Sequence, residues 1–202
     1  MVSGVKEFSV VFIIYGGFAG IYDEYLYIHN SRAIIRKDFD FYEVEILDKR
    51  IYNYIEKVCK RKSFDFHEVP LPTDATTFKL IINKPCKKEL EVYAIGFGNK
   101  ADRMFINKVY ELSRNINYKI LNKTLPSKII IYYSLLDFFE KPYYIDLSEL
   151  ELKENSGTVE VNDKDEILNI LEKIKNYKGS RLYYIKSKGR YYIATFEIKI
   201  GY

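Results

Sequence analysis

The chain has 202 residues and a mass of 24.0 kDa, which is enough to bury a sizeable core in one domain or in two small ones. Its 48% hydrophobic and 30% charged residues exclude a disordered chain. The 32 basic and 28 acidic residues are interspersed, so the charge pattern does not indicate a basic surface for binding nucleic acid. The lack of Gln beside many Lys and Ile is the composition that we expect of a thermophile, and an AT-rich genome would give much the same bias.

The first predicted element is an apolar strand over 8–15, and a second strand returns over 21–28. The connection between them is the run Gly16-Gly17-Phe18-Ala19-Gly20. Glycine allows a sharp turn or a positive φ, so the sequence predicts a hairpin with Phe18 at its tip. Two interpretations stay open: a structural turn whose phenyl ring packs inward, or a loop that binds another protein.

A helix follows the first strands. The second strand is predicted to continue to residue 36, past a turn or bulge at Asn30-Ser31. Apolar residues then recur at helical spacing, and they predict an amphipathic helix that buries Leu47, Ile51, Ile55 and Val58.

A second hairpin and a second helix complete the first half of the chain. Strands are predicted over 76–82 and 89–95, with a turn at 83–87 between them. Asn99 is the predicted N-cap of the next helix. The helix is expected to bury Phe105, Val109, Leu112 and Ile116.

The second half repeats this order in shortened form. A linker is predicted over 121–127, then a strand over 128–133 that returns over 142–147. Asp163, with Glu166 three residues later, is typical of a helix start. The last predicted hairpin has strands over 181–185 and 191–198 and a turn at 186–189.

These elements predict the α+β class: antiparallel sheets with helices packed on one face. We expect two similar tandem units, residues 1–121 and 127–202. The stretch 41–48 leads into the first helix much as 157–163 leads into the later one. We interpret this as an internal duplication whose second copy lost the glycine-rich loop and the final helix.

The first half resembles a known family over about residues 6–120. The string from Gly16 to Ile21 follows an N-terminal strand, and a helix comes next. Pro72-x-Asp74 then leads into a strand around Phe78-x-Leu80, a hairpin and a closing helix. This arrangement is similar to the emfourin family, small protein inhibitors of thermolysin-like zinc metallopeptidases. In this chain Tyr15 stands before the paired glycines, where the family usually has a polar residue, and the second half is an addition.

The resemblance implies a non-catalytic, protein-binding role. The expected partner is a thermolysin-like zinc metallopeptidase, and the expected contact residues are those of the loop: Gly16, Gly17, Phe18, Ala19 and Gly20. The oligomeric state stays open.

The residues offer no catalytic constellation. The two histidines, His29 and His67, are far apart, and no zinc-protease, P-loop, Rossmann or nucleophile-elbow motif occurs. The carboxylate pairs Asp23-Glu24 and Asp38-x-Asp40 are typical of strand ends and turns, and no partner is expected to tune their pKa values. We therefore expect no enzyme, no cofactor and no metal site.

Single-stranded nucleic-acid binding is the alternative, because tyrosines beside basic residues form stacking platforms. The candidates are Tyr183-Tyr184 and Arg190-Tyr191-Tyr192. Adjacent strand residues point to opposite faces, so each pair leaves one ring for an exposed face. Together with the modest net charge, this favours a structural role for the tyrosines, and we do not expect nucleic acid as the partner.

Cysteine content and the N-terminal run bear on location. Cys59 and Cys86 are too few for a disulfide framework, so free thiols are the default expectation, although a hyperthermophilic source would allow a Cys59–Cys86 disulfide. The apolar run over 8–21 superficially resembles the core of a signal peptide. Its small-residue cleavage pattern is poor and it is rich in β-branched and aromatic residues, so we do not expect a signal peptide. No run is long enough to span a membrane. We expect a soluble, cytoplasmic protein.

Overall fold

The computed structural model describes residues 7–16, 21–65, 76–93, 99–137, 143–153, 155–179 and 182–201. Its elements in chain order are β1 (Ser9–Gly16), β2 (Ile21–His29), β3 (Arg32–Lys37), β4 (Asp40–Ile46), α1 (Arg50–Lys60), β5 (Thr76–Lys84), β6 (Lys88–Tyr93), α2 (Lys100–Arg114), β7 (Tyr118–Thr124), β8 (Lys128–Leu135), β9 (Ile145–Asp146), β10 (Ser156–Val161), α3 (Lys164–Lys175), β11 (Tyr183–Ser187) and β12 (Arg190–Lys199).

These strands form one hydrogen-bonded sheet with a fork at β2. The main path runs β10-β8-β12-β2-β1-β5-β6, and β3, β4 and β7 branch from β2. Residues 21–23 of β2 pair in parallel with β12, and residues 26–29 pair antiparallel with β3. Most neighbours are antiparallel, and the predicted α+β class is confirmed. Strands of both halves share this sheet, while the predicted division at 121–127 and the duplication stay predictions.

Two hydrophobic cores lie on opposite faces of β1, because successive side chains of a strand point to opposite sides. Val10 and Phe12 belong to the first core, which α1 and α2 cover. Val11 and Ile13 belong to the second core, which is built with β8, β12 and α3. The first hairpin is therefore buried between the two halves of the chain.

The amphipathic patterns position α1 and α2 on the first core. The buried face of α1 consists of Ile51, Ile55 and Val58, as predicted. Leu47 was expected on the same face, but the helix begins at Arg50 and the Leu47 side chain is 51% exposed. Asn99 caps α2 as predicted, since its Oδ1 accepts a hydrogen bond from the Ala101 amide at 2.9 Å.

A disulfide ties α1 to the second hairpin. Cys59 in the last turn of α1 is bonded to Cys86 in the turn between β5 and β6, with 5.9 Å between the Cα atoms. The default expectation of free thiols is therefore wrong, and the alternative pairing is the one observed. Lys88 Nζ adds a second link, because it donates to the carbonyl of Val58 at 3.0 Å and to that of Arg61.

The second half departs from prediction in two places. The stretch predicted as a linker begins inside β7, which pairs with β4 from Tyr118 to Thr124, so residues 121–124 are strand. The predicted return of β8 over 142–147 is also wrong. Only Ile145–Asp146 forms a strand there, and it pairs in parallel with β11, whereas β8 pairs with β10 and β12.

The later helix and hairpin follow prediction. Asp163 caps α3, because its Oδ1 accepts from the amides of Asp165 at 3.0 Å and Glu166 at 3.1 Å. The hairpin of β11 and β12 turns at Lys188 and Gly189, both with positive φ. No helix in the described ranges is long and apolar enough to cross a lipid bilayer.

Candidate functional site

The predicted binding loop joins two strands that the structure places side by side. Gly16 is the last residue of β1, and Gly17, Phe18, Ala19 and Gly20 lie outside the described residues. The predicted hairpin is confirmed, since β1 and β2 pair antiparallel from Ser9↔His29 to Ile14↔Asp23. The two ends of the loop are therefore held on adjacent strands.

Strand ends from both halves surround these loop ends. On one side β5 accompanies β1 to its last residue, where Gly16 pairs with Thr76. On the other side β12 pairs with the first residue of β2 through Phe196↔Ile21. Because β12 begins at Arg190, six of its residues precede this pairing. The loop is consequently flanked by β5 of the second hairpin on one side and by β12, the C-terminal strand, on the other.

A polar network crosses three strands at the base of the loop. The Tyr15 hydroxyl donates to the Glu91 carboxylate, so β1 is linked to β6 across β5. Lys79 on β5 lies between two carboxylates, with its Nζ 2.6 Å from Glu89 Oε1 and 3.7 Å from Glu91 Oε2. The Lys79 side chain is only 18% exposed, so solvent screens these contacts less than at an open surface. The network fixes the strand next to Gly16.

A bulge in β2 anchors the other side of the hairpin. The register of β1 and β2 shifts between Phe12 and Ile13, so Tyr25 is the extra residue. Its hydroxyl lies 2.5 Å from Ser113 Oγ on α2, and both side chains are buried. Burial raises the pKa of Tyr25, although the hydrogen bond with Ser113 opposes this. The neutral phenol therefore joins β2 to α2 at physiological pH.

Glu24, which the sequence placed in a carboxylate pair typical of strand ends and turns, is instead a buried residue within β2. Its Oε2 accepts from the amides of Ile200 at 2.7 Å and Gly201 at 3.3 Å, and its Oε1 lies 3.3 Å from Lys199 Nζ. The residue is 5% exposed. The side chain thus extends the short parallel pairing of β2 and β12 at the fork. The available signal was the pair of acidic residues, Asp23 and Glu24, inside a strand that is otherwise mostly apolar and aromatic.

The candidate catalytic groups are not brought together. His29 lies exposed at the end of β2, with Nδ1 3.5 Å from the Tyr27 hydroxyl, and His67 lies outside the described residues. Asp40 does have a partner, contrary to expectation: the hydrogen bond from Lys123 lowers the pKa of Asp40 and keeps it ionised. No cluster of metal-ligating side chains occurs among the described residues. That the protein is not an enzyme stays a prediction.

The Tyr191-Tyr192 pair alternates in burial as expected, whereas Tyr183 and Tyr184 are both half-buried. Tyr192 is buried in the second core and packs against Tyr133, whereas Tyr191 is half-buried on the other face. Tyr183 packs against Phe196 with ring centroids 5.3 Å apart. Part of each pair is thus committed to packing, and no continuous row of exposed rings follows from the pairs. Nucleic-acid binding stays the alternative that we do not expect.

No protein-family profile, curated protein or solved structure matches the chain. The resemblance to the emfourin family therefore rests on the residues quoted from the sequence.

Proposed function

We propose that this protein is a non-catalytic protein-binding module that inhibits a thermolysin-like zinc metallopeptidase through the loop of residues 16–20. The observation that supports the proposal is the frame around the loop ends. Gly16 is paired with Thr76 of β5, the pairing of β1 with β2 reaches Ile14, and the neighbouring Tyr15 is linked to Glu91. Ile21 is paired with β12.

A fixed frame favours inhibition for an entropic reason. Association has to offset the freedom that loops and side chains lose on binding, so a loop whose ends are already fixed binds with a smaller loss. An inhibitor must also occupy the cleft of a protease without being cut. Short loops between paired strands suit this requirement, because the strands keep the ends from separating after they enter the cleft.

The composition of the loop supports the choice of partner. Glycines allow a close approach to another backbone. Phe18, the one large side chain among the five residues, suits an apolar specificity pocket of the kind that thermolysin-like enzymes use. Aromatic anchors in such pockets contribute about 2 kcal/mol or more when they are truncated.

The test measures inhibition of thermolysin by the intact protein, with hydrolysis of a chromogenic peptide as the readout. We expect an inhibition constant of about 1 µM or lower, since protease–inhibitor pairs are among the tighter complexes of their size. Phe18→Ala should raise this constant by about 30-fold or more, which corresponds to about 2 kcal/mol. The melting temperature should stay nearly unchanged.

One control variant and one second test variant accompany Phe18→Ala. Leu168→Ala removes an exposed apolar side chain (49% exposed) from α3, away from the loop, and should leave inhibition unchanged. Tyr15→Phe removes the hydroxyl that reaches Glu91 and should weaken inhibition by a few-fold through the frame. A large fall in melting temperature for Phe18→Ala, with unchanged inhibition, would mean that the phenyl ring belongs to the core. Absence of any inhibition of thermolysin would refute the proposed target class.

A further inference from the structure

Four cavities in the described part of the chain can be compared by the charges of their lining side chains, and the one at the C-terminal end of α2 differs from three others. Those three are lined by balanced charges: Arg32 with Glu43, Lys173 and Lys178 with Asp146 and Glu172, and Lys123 and Lys175 with Asp40 and Glu172. The cavity at the end of α2, which we call the α2-end cavity, has a volume of about 350 Å³. Its lining has three basic residues, Arg36, Lys37 and Arg114, and one acidic residue, Asp38. An excess of positive charge favours an anionic ligand.

The floor of the α2-end cavity is apolar. Leu26 on β2, Ile35 on β3 and Ile116 after α2 are all buried and line it. Tyr25 and Ser113 are also part of the lining, but their hydroxyl groups are bonded to each other. The floor therefore offers apolar contact and little further hydrogen-bonding capacity.

Arg114 supplies the first cation. Its guanidinium carbon lies 5.2 Å from the centre of the Tyr25 ring, which places the group over an aromatic side chain of the cavity. Within the described ranges the guanidinium has no hydrogen-bond acceptor and no ion-pair partner. An arginine at the last residue of a helix is common because it complements the helix dipole. That role leaves its N–H donors available to a ligand.

Lys37, the last residue of β3, supplies the second cation of the lining. Its Nζ lies 5.3 Å from the centre of the Tyr118 ring. The hydrogen bond with the Tyr118 hydroxyl raises the pKa of Lys37, so the ammonium stays charged. Arg36 takes no direct part, because its guanidinium lies 5.1 Å from the ring centre of Phe39 and 5.8 Å from that of Phe41, neither of which lines the cavity.

We propose that the α2-end cavity binds a small phosphate monoester, with the phosphate between Arg114 and Lys37 and the organic group on the apolar floor. Two cations on separate elements suit a dianion with three acceptor oxygens, because one oxygen edge faces the planar guanidinium while another reaches the ammonium. A volume of about 350 Å³ is near the lower end of ligand pockets, so the organic group is about the size of one aromatic ring.

The experiment titrates the intact protein with phenyl phosphate by calorimetry and by amide chemical shifts. We expect the shifts to centre on Lys37, Asp38, Ser113 and Ile116. Arg114→Gln and Lys37→Gln should each weaken binding by about tenfold, since each removes a charge-assisted hydrogen bond. The matched control is Lys108→Gln, which removes a positive charge from an exposed position of the same helix and should leave affinity unchanged.

A variant of opposite sign makes the test sharper. Asp38→Asn removes the acidic residue of the lining. Because this removes repulsion between an exposed carboxylate and the phosphate, it should strengthen binding of phenyl phosphate by about twofold to threefold. Asp38 has φ 55°, a conformation that Asn also adopts readily. Weaker or unchanged binding in this variant would contradict the electrostatic basis of the proposal.

Inorganic phosphate tests the floor. Phenyl phosphate should bind more tightly than phosphate alone, by the contribution of its buried ring, and phenylethylammonium should not bind. Equal affinities for the two phosphates, tighter binding of the cation, or a loss that is the same in Lys108→Gln as in Arg114→Gln would overturn the proposal. Unchanged melting temperatures of the variants would show that any loss of affinity is not a loss of folding.

Discussion

The two faces of β1 are covered in different ways. The Phe12 face packs against α1 and α2, which belong to the same half of the chain and are joined to the sheet by the Cys59–Cys86 bond. The Ile13 face packs against strands and a helix that lie more than a hundred residues later. That half is attached through three parallel pairs between β2 and β12 and through Glu24. One face is therefore closed locally, and the other is closed by a distant segment.

This difference suggests a role for the second half. A two-stranded hairpin is at best marginally stable alone, and a sheet that is covered on one face leaves the other face in water. Here Val11, Ile13 and Tyr27 are buried on the side away from α1 and α2. The second half thus completes the burial of the hairpin that bears the 16–20 loop. The predictions below test whether the two faces contribute alike.

The largest expected effect comes from truncating neighbouring residues on the two faces. Phe12 and Ile13 are both fully buried. Phe12→Ala should lower the free energy of unfolding by about 3–5 kcal/mol and Ile13→Ala by about 2–5 kcal/mol, since each leaves a cavity. Urea denaturation measures both. Thr195→Ala, at an exposed position of β12, is the control and should change stability by less than about 0.5 kcal/mol.

The outcome for Ile13→Ala decides how closely the second half packs. A loss below about 1 kcal/mol would mean that the second core relaxes around the missing side chain. In that case the Phe12 face of β1, which α1 and α2 cover, would contribute most of the stability of the hairpin. A loss similar to that of Phe12→Ala would show that the distant half is an equal part of the frame.

The disulfide is the second prediction. It closes a loop across a separation of 27 residues, and the chain-entropy relation gives a stabilisation of about 3–4 kcal/mol for that length. The double variant Cys59→Ser, Cys86→Ser should lose about this amount in urea denaturation. Reduction of the parent protein should have a similar effect. If neither treatment changes the urea midpoint, the packing of α1 and α2 on the Phe12 face of β1 does not depend on the Cys59–Cys86 disulfide.

The elements with a clear local period were predictable from the sequence. The buried face of α1, the Asn99 and Asp163 caps and the last hairpin all have signals within a few residues of each other. The strand β7 was missed because its side chains are largely exposed and its Asn and Lys residues are typical of loops. Its strand conformation comes from pairing with β4, which is a distant contact.

The candidate site shows the same limit. The glycine-rich run identified the hairpin, because glycines between two apolar strands are a local pattern. Nothing local indicated that Glu91 would reach Tyr15 across 76 positions, or that Glu24 would accept from the amide of Ile200 across 176. Such contacts depend on strand order, and the parallel pairing of β2 with β12 has no signature in either strand alone.

The third prediction concerns the attachment of the second half. Glu24→Gln keeps the shape of the side chain but removes the charge that accepts from two backbone amides and pairs with Lys199. We expect a loss of about 1–3 kcal/mol in the free energy of unfolding, because hydrogen bonds to a buried charge exceed neutral ones. The control is Glu160→Gln, whose carboxylate pairs with Lys128 at an exposed site and should contribute less than about 1 kcal/mol.

Hydrogen exchange separates a local effect of Glu24→Gln from a global one. If the effect is local, the amides of Ile200 and Gly201 should exchange much faster in the variant than in the parent protein. The amides of β1 next to Phe12 should exchange faster only by the amount that the loss of global stability explains. Equal acceleration throughout the chain would show that the fork opens only with complete unfolding. In that case the two faces of the hairpin would belong to one cooperative unit.

The smallest expected effect is a pH dependence of stability through Glu197 on β12. Burial alone would raise the pKa of Glu197, but hydrogen bonds from Lys199 and Tyr132, with the charge of Lys199, outweigh it and lower the pKa. A carboxyl group whose pKa is lower in the folded state stabilises that state above its unfolded pKa near 4.5. This contribution is lost as the pH falls through the pKa of the folded state.

Glu197→Gln should therefore be less stable than the parent protein at pH 7, and the difference should shrink below about pH 4.5. Urea denaturation of both proteins across this range measures it. A difference that stays constant down to low pH would mean that the amide of the variant disturbs packing around residue 197, and that the charge of Glu197 does not stabilise β12.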